Sequence, residues 1–138
     1  MLILLFLAAV SPLEGSWTNP SRNVTVRIGP CGATLCGRVS AASAGARQEA
    51  AGAGTPKLIG TRLMSDIEQV GPGNWRADVF VPDRNLHAVG ELTLVGPRIL
   101  AVSGCALGGL LCKTQNWTRV KAPARKGASE QSRKSGRR

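Results

Sequence analysis

The sequence predicts an all-β fold, a small antiparallel up-and-down barrel of seven or eight strands with disulfide-stapled hairpins. Three observations predict it. Apolar and polar residues alternate with a period of two over several short runs; Gly-Pro and Pro-Asp steps punctuate those runs; four cysteines sit in two close pairs. Period-two alternation puts one set of side chains on each face of a strand, and Gly or Pro ends the strand. Antiparallel strands in this number must protect their edges; a closed up-and-down barrel or a sandwich does so, and a chain order that suggests consecutive neighbours favours the barrel.

Residues 1–12 read as a signal peptide or an N-terminal apolar segment. Leu2 to Val10 form an apolar run that is too short to cross a bilayer as a helix and suits the core of an export signal. An uncleaved interfacial anchor is the alternative, because no Lys or Arg precedes the run and no small-x-small step precedes Ser11-Pro12. The barrel domain is expected over residues 13–120, with strands from about Trp17 to Val120. Val24, Val26 and Ile28 alternate with Asn23, Thr25 and Arg27, and Gly29-Pro30 is expected to end that strand. Trp75, Ala77, Val79 and Val81 alternate with Arg76, Asp78 and Phe80 up to Pro82-Asp83. Ala88, Gly90, Leu92 and Leu94 do the same before Gly96-Pro97, Ile99 to Val102 precede Ser103-Gly104, and Lys113 to Val120 alternate again. Residues 41–56, mostly Ala, Gly and Ser, break the rhythm. They predict a flexible loop or one short helix, whose length Gly52 and Gly54 limit.

The formal net charge of +10 is unevenly spread: residues 121–138 hold seven basic residues and one acid, with no aromatic or large aliphatic side chain. Such a stretch cannot bury enough apolar surface to offset its ordering entropy, so a basic disordered tail is expected. In an exported protein its partner would be the anionic envelope surface. It lacks the aromatics that stack on single-stranded bases, and nucleic acid is not expected as a partner.

The cysteines are Cys31, Cys36, Cys105 and Cys112, an even number in a short chain with an export-like start, which reads as a disulfide framework. Cys31–Cys36 and Cys105–Cys112 are the predicted pairs, since Gly32 can turn the chain and residues 106–111 read as a hairpin. A long-range pairing between the two groups is the alternative, and four thiolates around zinc a more distant one, because these spacings are looser than those of structural zinc sites. No metal or cofactor is expected.

Catalysis finds little support. His87 is the single histidine. A lone strand histidine is more often a hydrogen-bonded surface residue than a general base. Asp78, Asp83 and Glu91 read as turn or solvent-facing carboxylates. No phosphate-cradling Gly-rich loop lies between a strand and a helix. Asn23 and Asn116 match glycosylation acceptors and read as chance matches.

Gly15-Ser16-Trp17 opens the domain and Asn116-Trp117-Thr118-Arg119 closes it. In a meander barrel the first and last strands are neighbours, so Arg119 would lie over the Trp17 indole and close the barrel bottom, with Trp117 nearby in the same structural set. This pattern is similar to that of the calycins, the lipocalins and fatty-acid-binding proteins. Pro30-Cys31-Gly32 with Leu35-Cys36-Gly37, Gly104-Cys105 with Cys112-Lys113-Thr114-Gln115-Asn116-Trp117-Thr118-Arg119, and Asn74-Trp75 to Pro82-Asp83 together resemble domain of unknown function 2147, a bacterial family of small exported proteins. The resemblance spans about Leu13 to Val120 and implies a calycin-like barrel. It implies no activity. The chain departs from the family pattern after Trp75, where Arg76-Ala77-Asp78 and Phe80-Val81-Pro82-Asp83 stand instead of the usual steps.

An eight-stranded barrel is just wide enough to hold one small ligand or to fill itself with side chains. The expectation is therefore an exported, non-enzymatic monomer, periplasmic or secreted, that binds a small, partly apolar ligand, with Trp75, Val79 and Leu92 as the candidate ligand-binding residues. A structural or protein-interaction module of the bacterial envelope, with no internal ligand, is the alternative.

Overall fold

The alternating runs become strands of one closed barrel. The structure, a computed structural model, describes residues 11–106 and 111–121. The apolar run and nearly all of the basic segment lie outside those residues. In chain order the elements are β1 (Gly15–Thr18), β2 (Val24–Cys31), β3 (Thr34–Ala42), α1 (Ala44–Gly52), β4 (Arg62–Gly71), β5 (Asn74–Val81), β6 (Leu86–Gly96), β7 (Ile99–Ala106) and β8 (Leu111–Arg119). Each strand pairs antiparallel with the next, and β8 returns to β1.

Two strand ends differ from the sequence reading. β2 does not stop at Gly29-Pro30 but runs on to Cys31. Its pairing with β1 ends at Ile28, so beyond that point it has one neighbour, β3, and the missing N–H of Pro30 removes no ladder bond. β7 likewise continues through Ser103-Gly104, where Gly104 pairs with Gly90 on one side and Lys113 on the other. The Ala-rich stretch forms the short helix α1, and it ends at Gly52.

Two disulfides staple hairpins. Cys31–Cys36 spans the β2–β3 turn, where Gly32 takes φ +74°. Cys105–Cys112 links directly opposed residues of β7 and β8.

The barrel interior is apolar. Trp17, Val26, Ile28, Val39, Ile67, Trp75, Leu92 and Leu100 are buried in one cluster, and no polar or charged residue is buried among the described residues. Each such side chain contributes about 1.5–3 kcal/mol on leaving water.

One end is closed by a clasp. β1 has only four residues, and it meets β8 in two register pairs, Trp17↔Arg119 and Thr18↔Thr118. Arg119 reinforces this short seam. Its guanidinium lies 4.2 Å from the centre of the Trp17 ring. Its Nη1, Nη2 and Nε donate to the carbonyls of Glu14 (3.0 Å), Pro12 (2.6 Å) and Pro97 (3.0 Å). Leu13, fully buried, plugs the same end, and its carbonyl accepts from Trp17 Nε1 at 3.0 Å. Gly15 is needed beneath the clasp: it has φ +138°, and a Cβ there would stand 2.7 Å from Arg119 Nη1.

Arg119→Lys keeps the charge but loses the planar fork that reaches three carbonyls. It is expected to lower stability by about 1–3 kcal/mol in urea melts with an unchanged m-value. Wild-type stability would show that the clasp holds nothing.

Candidate functional site

The opposite end is built from the β1–β2 loop, α1 and the β5–β6 turn. The loop is organised by one side chain. Asn19 Oδ1 accepts the N–H of Asn23 and Val24, both at 3.0 Å, and Asn19 Nδ2 donates to Asn23 Oδ1 at 2.7 Å. The Asn23 carbonyl then accepts the Ser43 N–H at 2.9 Å, which fixes the start of α1. Ser43 caps the helix, its hydroxyl accepting the Ala46 N–H at 3.1 Å. Ala46 and Ala50, four apart and on one face, are the buried residues of α1. Their small side chains let the helix sit close to the barrel mouth. Past the helix, Gly54 lies beside Asn85 of the β5–β6 turn, with a Cβ there 3.7 Å from Asn85 Nδ2. The helix thus crosses the mouth from one loop to the other.

Beneath it lies a cavity of about 320 Å³. Its wall is apolar: Val24, Leu63, Met64, Val79, Val102 and Trp117 from the strands, with Ala46, Ala50 and Leu58 on the helix side. Its polar groups are Asn19, Ser21, Asn23, Gln115 and two carboxylates, Glu49 and Asp83. Trp117 Nε1 donates to Gln115 Oε1 at 3.1 Å, so the indole is fixed and its ring is left as wall. Among the described residues no Lys, Arg or His lines the cavity. Residues 107–110, outside the described set, are Leu-Gly-Gly-Leu and carry no charged side chain. The charged residues of the described lining are thus both acids, while Arg22, Arg47 and Arg84 of the same mouth elements do not line the cavity.

Glycine helps to shape the wall. Gly90 on β6 is buried, and a Cβ there would come 2.6 Å from Val79 Cγ2 and 3.1 Å from the Ser103 carbonyl. The absent side chain is what lets Val79 sit where it does.

Of the candidate ligand residues, Val79 lines the cavity. Trp75 and Leu92 are direct cross-strand partners packed in the core and do not line it. Trp117, placed by the sequence in the structural set, is a wall residue. Asp83 is at the mouth, while Asp78 and Glu91 are exposed. His87 is exposed and its ring lies 4.8 Å from that of Phe80. The four-thiolate zinc arrangement is not formed, because all four cysteines are in disulfides. Among the described residues no three His, Cys, Asp or Glu side chains gather as metal ligands do. The residues that sequence reading missed are the loop and lid groups Asn19, Glu49 and Leu58. Asn19-Pro20 carried a turn signal, but nothing local tied it to the cavity.

The model of a family described as an uncharacterized protein conserved in bacteria (DUF2147) matches residues 15–119. No curated protein matches the chain. Among solved structures, the chain is similar to a Helicobacter pylori protein described as belonging to the lipocalin family. The two share 14% identity and a TM-score of 0.63 over 83% of this chain and 86% of that one. At that identity the likeness is one of fold: a closed eight-stranded lipocalin-like barrel.

Gly90→Ala is expected to destabilise the barrel by about 1–3 kcal/mol through overpacking. Adding Val79→Ala should recover part of that loss, because the closest clash is removed. A double mutant whose cost equals the sum of the two single costs would disprove the coupling.

Proposed function

The chain belongs to the bacterial DUF2147 family, and we propose that it is an exported, non-enzymatic barrel that binds a small, partly apolar ligand in the open-end cavity. The observation that carries this reading is the cavity itself, about 320 Å³ with an apolar wall and polar groups among its lining residues. Small-ligand sites begin at about 300 Å³ and combine apolar walls with a few polar groups. A barrel serving only as an interaction module has no need to leave such a space. Export is supported by the two disulfides, which persist in oxidising compartments, and by the apolar N-terminal run.

The lining also favours one ligand charge. Glu49 and Asp83 are the charged residues among the described lining. Arg22, Arg47 and Arg84 belong to the same mouth elements but do not line the cavity, so the two lining carboxylates act on a ligand at the shortest range. A neutral or amine-bearing amphiphile fits, and an aliphatic carboxylate does not.

Tryptophan fluorescence of the full chain, titrated with decanol, decylamine and decanoate, tests both points. Decanol and decylamine are expected to saturate. Decanoate should bind at least about fivefold more weakly than decylamine, the effect of roughly one exposed ion pair. Ala50→Phe, which fills the cavity from the helix, should abolish the response. If no probe saturates, or if Ala50→Phe binds like wild type, the cavity is not a ligand site.

A further inference from the structure

We infer that the outer wall over β2, β3 and β4 is a docking surface for an anionic lipid membrane, held by a row of three arginines. Arg27 pairs in register with Arg38, and Arg38 with Arg62. All three are exposed. Like charges directly opposite one another on neighbouring strands are destabilising. β1, β2 and β3 contain no acid, and none occurs between Glu14 and Glu49; the acids of β4, Asp66 and Glu68, lie further along that strand than Arg62. Arg38 Nη1 donates to the Gly60 carbonyl at 3.3 Å, a neutral acceptor.

The next stretch of wall behaves in the opposite way. Glu68 pairs with Arg76 and Arg76 with Glu91, a row of alternating sign. That row ends in hydroxyls, where Ser103 and Thr114 hydrogen-bond at 3.0 Å. The fold thus alternates its cross-strand charges in one place and sets like charges opposite one another in the other. Guanidinium groups in a row match the oxygens of phosphates.

The row continues around the closed end. Arg27 also lines a groove of about 420 Å³ with Arg98, Lys121 and the clasp residue Arg119, with Glu14 as its acid. The Glu14 carboxylate accepts the Ser11 N–H at 3.2 Å. The chain leaves this groove at Lys121 and carries six further basic residues and one acid to its end. Near the same end lie three of the exposed large aliphatic residues, Val70 beside the β4–β5 turn, Val95 beside the β6–β7 turn and Val120 at the chain exit. Basic groups bordered by exposed aliphatics suit a headgroup interface rather than a purely polar polyanion. Trp17, Trp75 and Trp117 are buried and Phe80 half-buried, so no fully exposed Trp or Phe ring among the described residues is offered to nucleobases. This surface is independent of the cavity and of its ligand.

Co-sedimentation of the full chain with vesicles tests the inference. The protein should bind mixed phosphatidylcholine–phosphatidylglycerol vesicles at about 0.15 M salt and leave pure phosphatidylcholine in solution. The triple variant Arg27→Gln, Arg38→Gln, Arg62→Gln should partition at least about tenfold less, since each basic residue near an anionic surface contributes about fivefold. Its Tm should equal or exceed that of wild type, which a structural role for the row would not allow. Arg38→Glu alone should act in the same direction, while Arg76→Gln from the alternating row should bind like wild type. Four results would overturn the proposal: undiminished partitioning of the triple variant, equal binding to both vesicle types, tighter binding to a single-stranded oligonucleotide than to the vesicles, or complete release from vesicles by millimolar inorganic phosphate, which would assign the arginines to a free anion.

Discussion

Everything in this barrel depends on a seam that is too short to hold by backbone pairing alone. β1 contributes four residues, and two register pairs join it to β8. Opened there, the sheet would expose two edges and the apolar interior. Arg119 prevents this with three donor groups on three carbonyls and its guanidinium face on Trp17. Such bonds carry a charge on the donor and are stronger than neutral ones. The clasp also recruits the segment before β1, so that Leu13 becomes a plug. Gly15 is the local concession that makes room for it.

Closing one end decides what the other end can be. The large side chains Trp17, Trp75, Leu92 and Leu100 pack together as core and do not line the cavity. Space remains where the helix presents small side chains, Ala46 and Ala50, while the room at Gly90 on β6 is taken up by Val79. A helix carrying leucines on that face would have filled the mouth. The charges are sorted along the same division. Carboxylates and amides gather at the cavity, while arginines occupy the outer wall of β2–β4 and the groove at the clasped end. On the proposed reading, one small fold keeps an interior that disfavours anions and an exterior that attracts them.

The legible parts of the sequence were those in which one period governs a whole strand. β2, β5, β6 and β8 alternate cleanly and were readable as strands. β4 was not, because its register shifts between Ser65 and Glu68, where Asp66 takes φ +51°, and the alternation breaks in mid-strand. α1 stayed ambiguous because its buried face is made of alanines, which give no apolar stripe against their Ala and Gly neighbours. Trp17 and Arg119 were readable as a pair because a meander brings the chain ends together. The depth of a residue along the barrel axis was not readable: Trp75, Val79 and Leu92 all face inward, yet only Val79 reaches the cavity. The arginine row was hidden for a similar reason, since register alone brings Arg27, Arg38 and Arg62 side by side.

The account rests on a rigid clasped end and a more easily opened helical end, and native-state hydrogen exchange measures both at once. The Val120 N–H donates to the Ser16 carbonyl across the seam, and the neighbouring Arg119 N–H donates to the Arg98 carbonyl on the β7 side, each at 2.8 Å. These two amides should exchange only through global unfolding, while amides of α1 such as Arg47 should exchange through a smaller local opening. Exchange of the seam amides before those of α1 would contradict the account, because the barrel would then open at the clasp.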